Sequence, residues 1–256
     1  MRHRIATVLR RVRGERPAPG GGVDPDAATI DPADLAIVER AQPYTMTSRA
    51  RLLSLVDAVR YCVARGIPGD FAECGVWRGG SVLAMIATLQ ELGVDDRDIH
   101  LFDTFEGMTE PTAEDVSPLD GPALETWNES RARGERPWDE VFGETKFGED
   151  AVRATLEATG YPRERLHLVR GPVEETLPGS APARLALLRL DTDWYESTRA
   201  EMEHLYPRLS EGGVLIVDDY GHWQGARRAV DEYLAAAGTP LLLSRIDYTG
   251  RIAVKH

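Results

Sequence analysis

The chain has 256 residues, of which 42% are hydrophobic, and a formal net charge of -12. The length suits one large α/β domain with its own core, and no apolar run approaches the ~20 residues of a membrane-spanning helix. The negative charge argues against nucleic-acid binding, because affinity for phosphate backbones comes mainly from Lys and Arg. We therefore expect no nucleic-acid and no membrane partner, and the low cysteine count favours a cytoplasmic location.

Residues 1–42 are predicted to form an arm and linker that precede a folded domain at residues 43–256. Residues 1–16 contain six Arg and one Glu, and residues 17–26 are rich in Pro and Gly. A targeting peptide is an alternative, but the apolar stretch at residues 5–9 is too short and broken for a signal peptide. A mobile basic arm is the simpler interpretation.

After this arm the sequence alternates between helix-like and strand-like patterns. The helical patterns cover residues 48–65, 81–92, 149–159, 197–209 and 224–237. Strands are predicted at residues 71–75, 99–102, 166–169, 185–190, 214–217, 241–244 and 252–254. This alternation predicts an α/β fold with a mostly parallel sheet and helices on both faces.

A long acidic segment, residues 105–147, interrupts the alternation. The stretch 105–150 holds 13 Asp and Glu against 4 Lys and Arg, so it carries a charge of -9. A segment of this length without periodicity inside a compact domain is usually functional or disordered. We interpret it as an active-site lid that offers Trp127, Trp138 or Phe142 to an acceptor. A solvated acidic insertion is the alternative.

The end of the first predicted strand carries a carboxylate and a glycine-rich turn. Residues 73–81 read ECGVWRGGS, so Gly75 is followed by three other residues before the next glycines. Glycines let a ligand approach the backbone closely, and the next helix presents free N–H groups. The spacing differs from the dinucleotide-binding G-x-G-x-x-G pattern. Glu73 would repel a pyrophosphate but attract the cationic end of S-adenosylmethionine.

Asp103 ends the second predicted strand, 28 residues after Gly75. An acid at this position of an α/β fold can accept hydrogen bonds from both hydroxyls of a ribose. Thr104 and Phe105 follow it and are expected to pack on an adenosine. The alternative is an aspartate that only caps a turn.

Four aspartates follow two of the later predicted strands. Asp191 and Asp193 come after strand 185–190, and Asp218 and Asp219 come after strand 214–217. Four carboxylates at one edge would repel one another unless a cation or protons neutralise them. Hard oxygen ligands suit Mg²⁺, which keeps open positions for substrate or water. The alternative, helix capping, fits one of these residues but not all four.

His222 lies three residues after the last of these aspartates. It is a candidate general base or substrate contact, although a single loop histidine is more often neither. We expect Asp191 to be the first candidate for the base and His222 the second.

Five motifs in one order make the chain from residue 43 onward resemble the macrocin O-methyltransferase family, the antibiotic-sugar methyltransferases of the TylF/MycF/NovP type. The motifs are YTM at 44–46, ECGVWRGG at 73–80, DTFEG at 103–107, LDTDWY at 190–195 and DDYGHW at 218–223. The resemblance implies a class I methyltransferase fold, Rossmann-like with an antiparallel C-terminal strand. It also implies S-adenosylmethionine as methyl donor and a bound Mg²⁺.

The resemblance further implies roles for individual residues. Asp191, Asp218 and Asp219 would hold Mg²⁺, and Asp191 or a neighbour would help to remove the hydroxyl proton. Together with the positions argued above, the donor contacts would be Thr45, Met46, Glu73, Gly75, Trp77, Ser81, Asp103, Thr104, Phe105, Gly171, Val173 and Asp193. The expected acceptor is a hydroxyl of a small-molecule glycoside or polyol-like natural product.

Three other interpretations stay open. A nicotinamide-dependent dehydrogenase needs a tight G-x-G-x-x-G turn, which this sequence lacks. A non-catalytic S-adenosylmethionine- or small-molecule-binding protein would have no need for the acids at 191 and 218–219. A phenolic or polyketide hydroxyl could replace the sugar hydroxyl as acceptor. Because the basic arm and the acidic lid could pair between subunits, we expect a homodimer or a larger homo-oligomer.

Overall fold

The computed structural model describes residues 29–142 and 147–256, so the basic part of the predicted arm lies outside the described residues. The main sheet contains β1 (Asp70–Cys74), β2 (Ile99–Asp103), β5 (Leu166–Arg170), β6 (Leu185–Leu190), β7 (Leu209–Val217), β8 (Ser244–Arg245) and β9 (Arg251–Val254). A separate hairpin in the lid segment pairs β3 (Val116–Ser117) with β4 (Gly121–Pro122). The order of the main sheet is β5-β2-β1-β6-β7-β9-β8.

The strand directions confirm the predicted fold class. The first five strands in the spatial order, β5 to β7, run parallel, and β9 pairs antiparallel with β7. The sheet is therefore mostly parallel with an antiparallel C-terminal strand. Ligands of such sheets bind beyond the carboxyl ends of the parallel strands, which directs attention to the ends of the central strands β1, β6 and β7.

Helices cover both faces of the sheet. They are α1 (Pro32–Ala41), α2 (Arg49–Ala64), α3 (Gly80–Glu91), α4 (Ala123–Ala132), α5 (Asp139–Phe142), α6 (Glu149–Glu157), α7 (Val173–Ser180), α8 (Tyr195–His204) and α9 (Gln224–Ala236). The start of α2 is fixed by an N-cap: the side chain of Ser48 accepts a hydrogen bond from the N–H of Arg51 at 3.3 Å. No helix in the described part of the chain has the length and apolar character to cross a membrane.

Two apolar clusters sandwich the sheet. On one face α1, α2 and α3 contribute buried residues that include Val38, Val59 and Ile86. On the other face α8 and α9 contribute buried residues that include Met202 and Val230. Every residue of β6 is buried, as expected for a central strand covered on both faces.

The helix α1 lies inside the segment that was expected to be an arm. Asp31 caps it by accepting a hydrogen bond from the N–H of Ala33 at 2.8 Å, and Pro32 occupies the first helical position, where proline is favoured. Its residues Ile37, Val38 and Ala41 belong to the core. Residues 32–41 are thus packed on the folded domain. The helix was not predicted because its apolar stripe is too short to show a clear helical period.

Other boundaries also differ from the predictions. The lid segment contains α4 and α5 as well as its hairpin, and α4 buries only Ala123 and Ser130, so its sequence lacks an apolar period. The helix α7 was not predicted, and it contains Pro178. The helix predicted at 197–209 runs from Tyr195 to His204, because Pro207 falls in the 3₁₀ turn Tyr206–Arg208. The strand predicted at 241–244 is the shorter β8.

Candidate active site

The register of the three central strands brings the predicted site residues to one edge of the sheet. Cys74 of β1 pairs with Leu190 of β6, and Leu190 pairs with Val217 of β7. The N–H of Asp191 donates to the carbonyl oxygen of Cys74 at 2.9 Å, and the N–H of Asp218 donates to that of Leu190 at 2.8 Å. The residues that follow β1, β6 and β7 therefore leave the sheet at one level, beside one another.

Three of the four predicted aspartates form a potential cation site. One carboxylate oxygen from each of Asp191, Asp218 and Asp219 lies within 4.8 Å of the other two. Asp218 and Asp219 are buried, whereas the side chain of Asp191 is 26% exposed. The structure thus brings together the residues that the family resemblance assigned to the metal, and it leaves one of them accessible from the open side.

The fourth aspartate, Asp193, is hydrogen bonded to Asp219. Burial and the nearby charge of Asp191 raise the pKa of Asp193 to about 6. Burial and the charges of Asp193 and Asp191 also raise the pKa of Asp219 well above its ordinary value. The backbone of Asp193 is in the left-handed region, with φ of 69°, which is strained for a residue with a side chain. Its predicted contact with the donor stays a prediction.

Two buried arginines, which the sequence analysis did not single out, balance part of this negative charge. Arg51 of α2 forms an ion pair with Asp218. Arg189 of β6 forms ion pairs of 2.5, 2.8 and 2.7 Å with the carboxylates of Glu73, Asp191 and Asp218. A signal for Arg189 was present in the sequence, because it is the charged residue of the otherwise apolar strand LALLRL.

The composition of this cluster fits a hard divalent cation. Four aspartates and Glu73 carry five negative charges when all are ionised, and the two arginines offset two of them. The raised pKa values of Asp193 and Asp219 mean that protons must otherwise neutralise part of the remainder. Carboxylate oxygens in a small, crowded set are the ligands that Mg²⁺ prefers. The aspartates at 191, 218 and 219 are the residues that would hold it.

Glu73 is fully buried at the end of β1. Its Oε1 accepts a hydrogen bond from Arg189 Nη1 at 2.5 Å, whereas Oε2 is buried without a hydrogen-bond partner in the described part of the chain. Burial raises the pKa of Glu73 to about 7, although Arg189 and the Ser81 hydroxyl act to lower it. A buried acceptor without a donor is costly. The residue therefore fits a ligand with an ammonium group, as S-adenosylmethionine has.

The turn after β1 leaves the start of α3 without a side-chain cap. Gly79 is the N-cap, with φ of 83°, and no side chain caps the helix, so its first N–H groups remain available. Gly80 packs on the segment before α2, where an added Cβ would lie 2.6 Å from Cβ of Thr45. The predicted donor contacts Thr45 and Ser81 thus lie at the start of this helix, and Met46 is the next residue after Thr45.

Asp103 binds the backbone of the turn rather than standing free. Its Oδ2 accepts hydrogen bonds from the N–H groups of Val76 and Trp77 at 2.6 and 3.0 Å, and its Oδ1 accepts one from Phe105 at 2.7 Å. Trp77 and Phe105 both have positive φ, 49° and 52°, and these hydrogen bonds stabilise that strained geometry. A carboxylate has about four acceptor positions, so little capacity remains for ribose, whose binding here stays a prediction.

The other predicted nucleoside contacts lie beside Asp103. The N–H of Gly171 donates to the carbonyl oxygen of Asp103 at 3.0 Å. The hydroxyl of Thr104 donates to the carbonyl oxygen of Gly107 at 2.6 Å. Val173 is buried at the start of α7. A cavity of about 790 Å³ opens between this edge and the lid. Of the predicted nucleoside contacts, Thr104 and Gly171 line this cavity, and none of the four aspartates is among its described lining residues.

The lid segment is fastened to the domain by specific hydrogen bonds. The indole Nε1 of Trp77 donates to the carbonyl oxygen of Val141 at 3.1 Å, and that of Trp194 donates to the carbonyl oxygen of Thr109 at 3.0 Å. Asp115 is fully buried and accepts a hydrogen bond from the N–H of Tyr195, the first residue of α8, at 2.7 Å. The lid therefore lies over the same strand ends as the aspartates.

A row of aromatic rings continues from the lid to the aspartates. The ring of Trp138 in the lid lies 5.6 Å from Trp194, and that of Trp194 lies 5.0 Å from Trp223. Trp127 adjoins the row, 6.2 Å from Trp138. Trp138 and Trp127 were expected to face an acceptor, whereas Trp194 was not singled out. Its position directly after Asp193 could have suggested it.

Both ring nitrogens of His222 are engaged. Nε2 lies 3.0 Å from Oδ2 of Asp120 in the lid, and Nδ1 lies 3.2 Å from the hydroxyl of Tyr248. In this arrangement the imidazole connects the lid to the C-terminal loop. To accept a proton from an alcohol, the imidazole would have to give up one of these two contacts. Which of the two predicted bases, Asp191 or His222, accepts the proton stays a prediction.

Comparison with known proteins agrees with this architecture. The chain matches the macrocin-O-methyltransferase (TylF) family over residues 34–254. It is 37% identical to the 8-demethyl-8-(2,3-dimethoxy-alpha-L-rhamnosyl)-tetracenomycin-C 4'-O-methyltransferase of Streptomyces olivaceus, over 89% of this chain and 80% of that protein. It is 33% identical to the mycinamicin III 3''-O-methyltransferase of Micromonospora griseorubida, over 81% of this chain and 76% of that protein.

The fold is similar to that of a solved relative as well. The structure of the O-methyltransferase NovP aligns with a TM-score of 0.69 at 32% identity, covering 83% of this chain and 82% of the other. The predicted resemblance is therefore confirmed. The chain belongs to the macrocin O-methyltransferase family and is an O-methyltransferase.

Proposed function

We propose that the protein transfers a methyl group from S-adenosylmethionine to a hydroxyl of a sugar or polyol-like part of a natural product, in antibiotic biosynthesis, with Mg²⁺ bound at the aspartate cluster. The observation that carries the proposal is the convergence of Asp191, Asp218 and Asp219, whose oxygens lie within 4.8 Å of one another. The names of two relatives support the acceptor class, because they specify a 4'-O-methylation of a rhamnosyl tetracenomycin and a 3''-O-methylation of mycinamicin III.

The chemical problem is the weak nucleophilicity of an alcohol, whose proton is held tightly near neutral pH. A divalent cation, when bound, lowers the pKa of an oxygen that it contacts. Asp191 is the candidate to accept the proton, because its side chain is 26% exposed and so is the accessible member of the cluster. Transfer forms the oxygen–carbon bond and breaks the sulfur–carbon bond of the donor, with the proton moved to Asp191.

The chain contributes positioning as well as proton transfer. Glu73 would orient the ammonium end of the donor, and the open start of α3 would bind its carboxylate. The tryptophan row would pack against the apolar face of the acceptor and exclude water. Holding two reactants in the reacting geometry can remove up to about 7–11 kcal/mol from a barrier, which exceeds the about 3–5 kcal/mol that a general base usually contributes.

The same tryptophan row gives one alternative acceptor a specific basis. The partly exposed members of the row, Trp127, Trp138 and Trp223, would stack on a phenol or an aromatic polyketide as readily as on a sugar. A hydroxyl of that kind is therefore the second candidate acceptor for the same transferase reaction.

The test is a methyl-transfer assay with paired acceptors. Formation of S-adenosylhomocysteine is followed with a glycosylated natural product and with its aglycone, in EDTA and after addition of Mg²⁺. We expect turnover with the glycoside alone and only when Mg²⁺ is present. Turnover that EDTA leaves unchanged would contradict the metal role, and turnover of the aglycone would favour the phenolic or polyketide acceptor.

A further inference from the structure

Arg189 links the two halves of the site through one buried guanidinium. Its side chain is 2% exposed. Nη1 lies 2.5 Å from Oε1 of Glu73 and 2.8 Å from Oδ2 of Asp191. Nη2 lies 2.7 Å from Oδ1 of Asp218 and 2.8 Å from the hydroxyl of Thr47. One side chain thus contacts the donor-side carboxylate, two aspartates of the cation cluster and the segment before α2.

The position of Arg189 in the sheet makes this arrangement rigid. Arg189 pairs in register with Glu73 on the neighbouring strand β1 and with Ile216 on the other neighbour, β7, so its side chain stands beside that of Glu73. The guanidinium is planar and its N–H groups form a fixed fork. Any rotation that moved Nη1 away from Glu73 would also move Nη2 away from Asp218. The guanidinium therefore sets the distance and angle between the two carboxylates.

The charge of Arg189 is secured by its partners. Burial acts to lower the pKa of its guanidinium, but the charges of Asp191 and Glu73 outweigh burial and raise it. Removing this cation would leave buried Glu73 and half-buried Asp191 without an arginine partner, and Asp218 with Arg51 alone, which is more costly than losing an exposed pair. They would then take up protons or turn away from one another.

We propose that Arg189 is a positioning residue that couples the donor half of the site to the cation half. Through Nη1 it orients Glu73 toward the ammonium group of the donor and also contacts Asp191, and through Nη2 it orients Asp218. Asp191 and Asp218 are two of the three cation ligands. The inference rests on the proposed function, since it takes the aspartates as the metal site. Arg189 itself acts only through these carboxylates.

Two binding measurements, each made without the other ligand, test the proposal. S-adenosylhomocysteine binding is measured by calorimetry in EDTA, and Mn²⁺ binding by electron paramagnetic resonance without donor. For Arg189→Lys, which keeps the charge but loses the fork, we expect Mn²⁺ affinity to fall about 10- to 100-fold, as for other partners of metal ligands. We expect S-adenosylhomocysteine affinity to fall about 10-fold in the same variant, since hydrogen bonds to charged groups contribute this much.

Reference variants separate positioning from a general loss of structure. Glu73→Gln should weaken S-adenosylhomocysteine binding alone, and Asp218→Asn should weaken Mn²⁺ binding alone. Arg97→Lys is a matched control, because Arg97 is a partly buried arginine that binds the carbonyl oxygens of Ile67 and Gly69. It should leave both affinities within about twofold of the wild type.

A second variant keeps the proposal testable if Arg189→Lys does not fold. Thr47→Val removes one hydrogen bond to Nη2 and no charge, and we expect it to lower Mn²⁺ affinity about threefold. Unchanged affinities in folded Arg189→Lys, loss of only one of the two, or unchanged Mn²⁺ affinity in Thr47→Val would overturn the proposal. Failure of the wild type itself to bind Mn²⁺ would instead contradict the proposed function.

Discussion

Two acidic regions of this chain differ in burial. The lid stretch 105–150 carries -9, but many of its acids point to solvent; Glu129 and Glu135 are 68% and 59% exposed in their ion pairs with Arg133. At the strand ends there are fewer acids, yet Asp218, Asp219 and Glu73 are buried. The strand-end acids also have two buried arginine partners, Arg51 and Arg189.

The comparison shows that the number of charges does not identify a functional site. Exposed acids are solvated and screened, so a pair of them contributes about 0–1 kcal/mol. Buried acids interact strongly, and they persist only where cations, protons or ligands balance them. Among the described lid residues, Asp115 is an acid of the second kind, and its carboxylate accepts hydrogen bonds from the backbone N–H groups of Thr112 and Tyr195.

The largest expected effect comes from a substitution in the strand-end region, and it is an effect on turnover. Asp191→Ala should lower turnover by about 10²- to 10⁴-fold, the usual contribution of a general base, with S-adenosylhomocysteine affinity largely intact. Steady-state kinetics and calorimetry measure the two quantities. Wild-type turnover in this variant would contradict the assignment, and lost donor binding would place Asp191 in the donor site instead.

The buried acids should also make the stability of the metal-free protein depend on pH, with stability falling as the pH rises. The pKa of Asp193 is about 6 in the folded chain and about 3.9 when unfolded. Its contribution to stability is therefore present below about pH 4 and is lost as the pH rises through about 6. Glu73, with a pKa of about 7, acts in the same direction.

We therefore expect the free energy of unfolding in EDTA to fall by about 3 kcal/mol for each such acid as the pH rises from 4 to 8. Mg²⁺ should reduce this fall, because the cation replaces the protons. Urea denaturation across the pH range measures both curves. Identical curves with and without Mg²⁺ would contradict a cation site among these acids.

Within the lid, the buried acid should matter more than its exposed neighbour. Asp115→Ala removes the acceptor for the N–H of Tyr195 at the start of α8 and for two groups of Thr112. We expect a loss of about 1–2 kcal/mol, as for helix caps, and a lower turnover because the lid is less firmly held. Glu114→Ala, at the adjacent exposed position, is the matched control, and an equal loss in both variants would contradict the role given to Asp115.

The smallest effect is expected at the exposed lid acids. Glu129→Ala removes one member of an exposed ion pair and should change the free energy of unfolding by no more than about 0.5 kcal/mol. Turnover with the glycoside should also be unchanged. A large loss of activity in this variant would mean that the lid surface itself binds the acceptor.

Sequence reasoning located the strand ends and their acids well. Buried parallel strands such as β6 leave clear apolar runs, and the aspartates follow them directly, so both the fold class and the convergence of these aspartates were predictable. The weakly patterned helices α1 and α4 were missed, because each buries only a few residues of a short segment. Propensity alone does not reveal helices that are held in place by packing and caps.

The partners of the site residues were harder to foresee. The contact of Arg51 with Asp218 joins residues 167 positions apart, and it depends on how α2 packs over the sheet. The engagement of His222 with Asp120 and Tyr248 depends likewise on where the lid and the C-terminal loop meet. Arg189 was also missed, although the sequence carried a signal for it, since a charged residue inside a fully buried strand requires a buried counter-charge.

The most direct test of the account is a crystal structure with Mn²⁺ and S-adenosylhomocysteine, using the anomalous signal of the metal. The account predicts one anomalous peak at roughly 2.0–2.2 Å, near the octahedral distances of such cations, from a carboxylate oxygen of Asp191, Asp218 and Asp219, with the ammonium group of the ligand at Glu73. A structure in which the metal lies elsewhere, or in which these aspartates contact only arginines and protons while the donor is bound, would contradict it.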